Sequence, residues 1–181
     1  MIWWPIEFPT LSTGKIVLRP VVKNDIELIY QACQDPIISK FTTIPPDYPI
    51  SAVKEFVENR IPQQFAKQTE LALAIEEDNK FAGVISLHTI DHANHRAEIG
   101  YWIEKSMRGK GICRQAVELL TDYGLLTIGF RRIEAMVNSD NETSKHLLLK
   151  AGYQFEGILR QRITNHDGQQ VDMAVFAATV S

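Results

Sequence analysis

Arg108-Gly109-Lys110-Gly111-Ile112-Cys113 is the stretch of this chain whose residue types and spacing point most directly to chemistry. Two glycines around a lysine let the backbone turn tightly with its N–H groups outward, and a helix starting at Ile112 adds unpaired first-turn amides and a positive dipole end. The product is an anion cradle, and helix N-termini entered through glycine recur at phosphate sites. Arg108, Lys110 and Arg114 bring three cations to the same place, although a solvated helix end would use them equally well. A Walker loop does not fit, because Lys110 is followed by Gly111 and no hydroxyl for magnesium. The dinucleotide fingerprint, which needs three glycines after the first strand of a βαβ unit, does not fit either.

The flanking elements follow from periodicity. Ile112, Ala116, Leu119, Leu120 and Tyr123 recur at three- and four-residue steps and predict an amphipathic helix closed by Gly129. Upstream, Ala97 to Ile103 reads as a strand running into the loop. Downstream, Arg131 to Val137 reads as another, and Asn138-Ser139-Asp140-Asn141-Glu142-Thr143-Ser144 opens a second helix ending at Lys150-Ala151-Gly152-Tyr153.

Arg108, Gly111 and Cys113 resemble the acyl-CoA pyrophosphate loop of the GNAT acetyltransferase superfamily, whose pattern is Arg/Gln, two residues, Gly, one residue, Gly/Ala. Cys113 departs from the pattern but is small. The order strand, loop, helix, strand, Asn-x-x-Ser, helix, Gly-Tyr is also the family's, so the resemblance covers about residues 97 to 157. Glu98-Ile99-Gly100-Tyr101-Trp102 with Asn141 and Ser144 looks most like the RimJ/RimL branch, the N-terminal acetyltransferases of ribosomal proteins. The resemblance implies a single N-acetyltransferase domain over 1–181 and acetyl-CoA as co-substrate, its pantetheine arm lying in a splayed opening between two central strands. It also implies cofactor contacts from Ile103, Arg108, Gly109, Lys110, Gly111, Ile112, Cys113, Asn138 and Asn141, the acceptor being a protein α-amine. For Asn141, capping the following helix is an equally good use.

Direct attack of an amine on the thioester needs a neutral nitrogen and a stabilised leaving thiolate, and alignment of the two substrates does most of the work. An α-amine with a pKa near 8 is roughly one-tenth neutral at pH 7, whereas a lysine-type amine near 10.4 is neutral only about four times in ten thousand. Glu98, on a central strand, is the candidate base; a structural carboxylate is its other reading. The tyrosine that many superfamily members place on the second helix to protonate the sulfur is replaced by Leu148. Ser144 is the nearby hydroxyl that would donate to the sulfur, or else a first-turn serine bonding backbone. Small-molecule amine acetylation and a non-catalytic acyl-CoA-binding module are the alternative functions.

Composition frames this reading. The chain has 181 residues, a net charge of −3 and two cysteines, which suits one reduced, cytoplasmic domain and argues against a general nucleic-acid binder. The apolar opening Met1-Ile2-Trp3-Trp4-Pro5-Ile6 is too short for a membrane span and lacks a basic leader; Trp3 and Trp4 are candidates to cover a homodimer contact. His88, His92 and His95 around Asp91 are read as a polar hairpin turn and no metal is expected. No nucleophilic role is expected of Cys113.

The remaining pattern predicts strands at 15–21, 70–76, 80–88, 153–164 and 169–178, with Asp167-Gly168 marking the last hairpin. Asn24, with Glu27 in a capping box, should start a helix running to Gln34, residues 35–50 with their four prolines should be extended loop, and Ser51 should start a helix to Lys67. The expected class is α+β (mixed α/β), a twisted and mostly antiparallel sheet with flanking helices.

Overall fold

The computed structural model describes residues 1–180. Eight strands form one sheet: β1 (Leu11–Thr13), β2 (Ile16–Pro20), β3 (Leu71–Glu77), β4 (Lys80–Asp91), β5 (Arg96–Ile103), β6 (Arg132–Asn138), β7 (Gln154–Thr164) and β8 (Gln170–Thr179). Their order is β1-β2-β3-β4-β5-β6-β8-β7 and every neighbouring pair is antiparallel except β5 and β6. The mixed α/β architecture with a mostly antiparallel sheet is the one expected.

The exceptional pair builds the site. β5 and β6 are in register only at Arg96–Arg132, Ala97–Ile133 and Glu98–Glu134. β5 then continues to Ile103 and β6 to Asn138 without each other, so the sheet forks immediately beyond Glu98 and leaves backbone groups of both strands facing a wedge.

Helices cover both faces. α5 (Ile112–Asp122) and α6 (Glu142–Lys150) lie on the face where Ala97, Ile99, Ile103, Ile133 and Ala135 join Ala116, Val117, Leu120 and Leu148 in the main core. On the opposite face α1 (Ile26–Cys33) and α3 (Ile50–Glu55) close a smaller core of Ile29, Cys33, Val53, Val57 and Val84, with Trp102 against it. Strand alternation therefore sends Ala97, Ile99, Tyr101 and Ile103 toward α5 and α6, and Glu98, Gly100 and Trp102 toward the other helices.

Three local expectations are corrected. The segment 35–50 is not all loop: α2 spans Pro36–Phe41, because Asp35 caps it by accepting from the Ile37 N–H at 3.0 Å and Pro36 sits in the first turn, where a missing N–H costs nothing. Asn24 does not cap α1. The Lys23–Asp25 turn is instead held by Asp25, whose buried carboxylate accepts from the Val22 N–H at 2.8 Å and from the Arg19 guanidinium at 2.7 and 2.8 Å. The helix expected over 51–67 begins at Ile50 and passes through a π-helical turn, Phe56–Arg60, into α4 (Ile61–Ala66); the wider turn accommodates Pro62, which has no N–H to give. Strand β1 was not foreseen. Trp4 packs within its own chain, its Nε1 donating to the Phe65 carbonyl at 3.1 Å, while Trp3 is 69% exposed.

Candidate active site

The fork opens into one large groove of about 1730 Å³. Glu98, Ile103, Arg108, Gly109, Gly111, Ile112, Cys113, Asn138, Asn141 and Ser144 all line it. Of the catalytic and cofactor-binding candidates, Lys110 alone is not in its wall; it is exposed, with Nζ 3.8 Å from Met107 Sδ.

At one end the loop between β5 and α5 has the geometry an anion requires. Gly109 and Gly111 have φ of 75° and 77°, the left-handed region that glycine enters without strain, and Gly111 is the N-cap of α5 with no side chain capping the helix. Among the described residues the amides of Gly109, Lys110 and Gly111 find no hydrogen-bond acceptor, and those of the first turn have none inside the helix. Donors without partners at a positive helix end suit a diphosphate.

Arg108 is oriented otherwise than a phosphate ligand would be. Its Nε donates to the Ile103 carbonyl at 3.0 Å and its Nη2 lies 2.7 Å from Asp35 Oδ2. Arg108 thus ties the loop to α2 on the opposite face. Burial pushes the Asp35 carboxyl up, but the Ile37 N–H and the Arg108 guanidinium more than offset this and leave it below the ordinary value of 3.8. A carboxylate held below its unfolded pKa contributes stability that is present above about pH 4 and is lost as pH falls through the folded value. Asp35→Ala should therefore lower stability by about 1–3 kcal/mol at pH 7, read as a drop in Tm, whereas Asp35→Asn, which keeps the cap, should lose less. Equal losses from both variants would show that the ion pair alone matters.

Asn138 Oδ1 accepts from the Asp140 N–H at 2.9 Å, and Asn141 Oδ1 accepts from the Ser144 N–H at 3.1 Å as the cap of α6. The capping reading of Asn141 holds in this structure. Its amide nitrogen still has no partner among the described residues and borders the groove. Ser144 reaches the groove from the first turn of α6. Leu148, one turn on, is fully buried in the core.

At the fork itself, Glu98 has no ion-pair partner among the described residues, whereas Glu134 beside it is held by Arg132 at 2.7 Å and by Arg96 at 3.4 Å. Burial, then the Glu134 charge, pushes Glu98 from 4.5 up to about 7, against the pull of Arg162 and Arg96. His88 stands opposite Glu98 in the β4–β5 ladder, its imidazole over Gly100, where a Cβ would lie 2.8 Å from Nε2. Burial lowers the His88 pKa, and its Nδ1 is 2.9 Å from Thr89 Oγ1. The sequence puts His88 at the end of the predicted 80–88 strand, beside the polar turn. The strand register that puts it beside Glu98 was the signal, and it shows only once β4 and β5 are paired.

His92 Nε2 is 2.9 Å from the Gln68 carbonyl, and no group of three or more metal-binding side chains is gathered among the described residues. Burial pushes the Cys113 thiol up to about 12, so it is protonated and a poor nucleophile.

Comparison with known proteins meets the same geometry. Residues 15–154 match the acetyltransferase (GNAT) domain family. Among sequence relatives, the uncharacterized N-acetyltransferase p20 of Bacillus licheniformis is 30% identical over 170 residues, covering 93% of this chain and 94% of the relative. Spermidine N(1)-acetyltransferase of Escherichia coli is 26% identical, covering 82% and 77%. Ribosomal-protein-serine acetyltransferase of Escherichia coli is 36% identical over 87 residues, covering 48% and 49%. Among solved structures, the microcin C7 self-immunity acetyltransferase MccE, in complex with acetyl-CoA and AMP, superposes with a TM-score of 0.84 at 27% identity, covering 93% and 94%. RimL, a ribosomal-protein α-N-acetyltransferase in complex with coenzyme A, superposes at 0.87 and 20%, covering 95% and 98%.

Proposed function

Because this chain belongs to the GNAT acetyltransferase family and is an acetyl-CoA-dependent N-acetyltransferase, we propose that its acceptor is a protein N-terminal α-amine of the ribosomal-protein type. Coenzyme A lies along the wedge, its diphosphate on the amides of residues 109–113 and its pantetheine arm beside the free edge of β5 from Glu98 to Ile103. The acceptor enters from the side of α2 and the π-helical turn. Glu98 takes the ammonium proton, directly or through water, and the neutral nitrogen attacks the thioester carbonyl. The C–N bond forms, the nitrogen of the adduct gives its second proton to water, the C–S bond breaks, and sulfur leaves as a thiolate toward Ser144, with no acyl-enzyme.

The observation that carries this reading is the lone carboxylate of Glu98 at the fork, with a pKa near 7. A base of that strength is matched to an amine near 8 and is a poor match for a polyamine nitrogen above 10. Charge on the acceptor side agrees. Of the described carboxylates lining the groove, Glu70 is met by Arg60 at 3.2 Å and Asp91 by Arg96 at 3.3 Å, which leaves Glu98 to receive an ammonium. One cationic nitrogen fits such a site better than the several of spermidine. The small-amine reading draws on the spermidine and MccE relatives. The reaction's donor and the free thiols of Cys33 and Cys113 suit the cytoplasm; no helix among the described residues is long and apolar enough to cross a membrane.

Acetyl-CoA offered with ribosomal-protein N-terminal peptides, spermidine and aminoacyl nucleotides in parallel should add acetyl mass to the peptide α-amine, with kcat/KM at least about tenfold above the others. Preferential acetylation of spermidine would overturn the peptide assignment, and tight coenzyme binding without thiol release on any amine would favour a binding module.

A further inference from the structure

Tyr101 lies on β5 three residues beyond Glu98, on the face toward α5 and α6. Its hydroxyl is buried and, among the described residues, makes no hydrogen bond of good geometry, although the Ser144 hydroxyl is near enough to act on it. Leaving a buried O–H unpaired is costly, and such groups in native folds call for a partner that the bare protein lacks. Tyr101 also lines the groove, with Cys113 from the start of α5 and Ser144 from the start of α6 beside it. The residue one turn into α6 that would otherwise present a hydroxyl is the buried Leu148.

We propose that the Tyr101 O–H is a catalytic hydrogen-bond donor to the departing coenzyme A sulfur, sharing that role with Ser144. The inference rests on the acetyltransferase reading of the wedge. It assigns to a strand residue the stabilising role that the second helix leaves vacant.

The chemistry favours donation over full proton transfer. Burial pushes the phenol well above its ordinary value of 10, with smaller pushes in the same direction from Cys113 and Tyr153, while Ser144 pulls the other way. A thiol titrates near 8.5, so moving the phenolic proton to the thiolate would run uphill. A donor that stays neutral and prepositioned needs no reorganisation as negative charge builds on sulfur, and in a water-poor site it acts strongly. The balance is then complete: the ammonium gives one proton to Glu98 before attack, the nitrogen of the tetrahedral adduct gives a second to water as the amide forms, and sulfur leaves as a thiolate held by Tyr101 and Ser144 that takes a proton from water on release.

Tyr101→Phe removes the hydroxyl and keeps the ring in its core contacts. It should lower kcat by roughly 10- to 100-fold while acetyl-CoA affinity by calorimetry stays within about twofold and Tm is unchanged or higher. A second readout is one that packing alone would not move. The thiol of bound coenzyme A, followed by thiolate ultraviolet absorbance, should titrate about one pH unit higher in the Phe variant than in the parent. A kcat within about twofold of the parent, or an unmoved thiol titration, overturns the assignment. If Tyr101→Phe is silent while Glu98→Gln still abolishes turnover, this inference falls and the acetyltransferase reading stands. If the parent itself neither binds acetyl-CoA nor releases thiol, the reading beneath it falls.

Discussion

Replacing Glu98 by glutamine should lower kcat/KM roughly 100- to 10,000-fold, the range for losing a positioned general base, and should flatten the acid side of the pH profile. With a pKa of about 7, Glu98 is half ionised at neutrality, so kcat at saturating acceptor should rise through pH 7 and level off above it. Measuring kcat rather than kcat/KM removes the free amine's own titration. The groups that set this limb sit on three strands: Glu134 of β6 raises it, Arg162 of β7 and Arg96 of β5 lower it.

The same ionisation sets a stability dependence of opposite sense to a salt-bridged carboxylate. Glu98 has a folded pKa above its ordinary 4.5, so the folded state holds its proton more tightly than the unfolded chain does. Its contribution is present below about pH 4.5 and is lost as pH rises through about 7. Glu98→Gln has no charge to bury and should melt higher than the parent above pH 7, by a few degrees. A Gln variant that is slow but no more stable at pH 8 would mean that Glu98 is paired in solution. One with undiminished kcat would remove the base from the mechanism.

Gly111→Val is expected to be the most damaging change for the cofactor. With φ at 77°, an L-residue there is strained by about 1–2 kcal/mol, which a fold of this size tolerates. Relief by turning the peptide takes the amides of residues 110–112 off the diphosphate and puts an isopropyl group over the helix end. Losing two charge-assisted hydrogen bonds at about 1.5–3 kcal/mol each should raise the acetyl-CoA Kd by about 100-fold or more. Calorimetry reads this directly, and a melting curve checks that the variant is folded. Affinity within about threefold of the parent would detach the loop from phosphate binding and with it the placement of the coenzyme.

Much of the loop's geometry was legible along the chain because it is local. Outward amides at positions 109–113 need only two glycines and a helix start, all within six residues, and backbone sterics decide the result wherever the loop is placed. The same holds for the Asn141 cap of α6 and for the α5 stripe. Proline misled where its meaning depends on position: Pro36 starts α2 rather than forbidding it, because Asp35 immediately before it supplies the cap, and Pro62 is absorbed by a π-helical turn.

Residue order by itself determined which groups exist and which strand faces they occupy, since alternation along β5 must set Glu98 against Tyr101. Only tertiary pairing decided what surrounds them. A parallel ladder that stops at Glu98–Glu134 makes the fork, buries one carboxylate without a cation and leaves its neighbour neutralised by Arg132 and Arg96. Antiparallel register brings His88 across from Glu98, and an ion pair between residues 35 and 108 ties the β5–α5 loop to α2. Local geometry carries information over a few residues. Dielectric environment, register and ion-pair partners are properties of segments far apart in the chain, and they come into being only when the sheet closes.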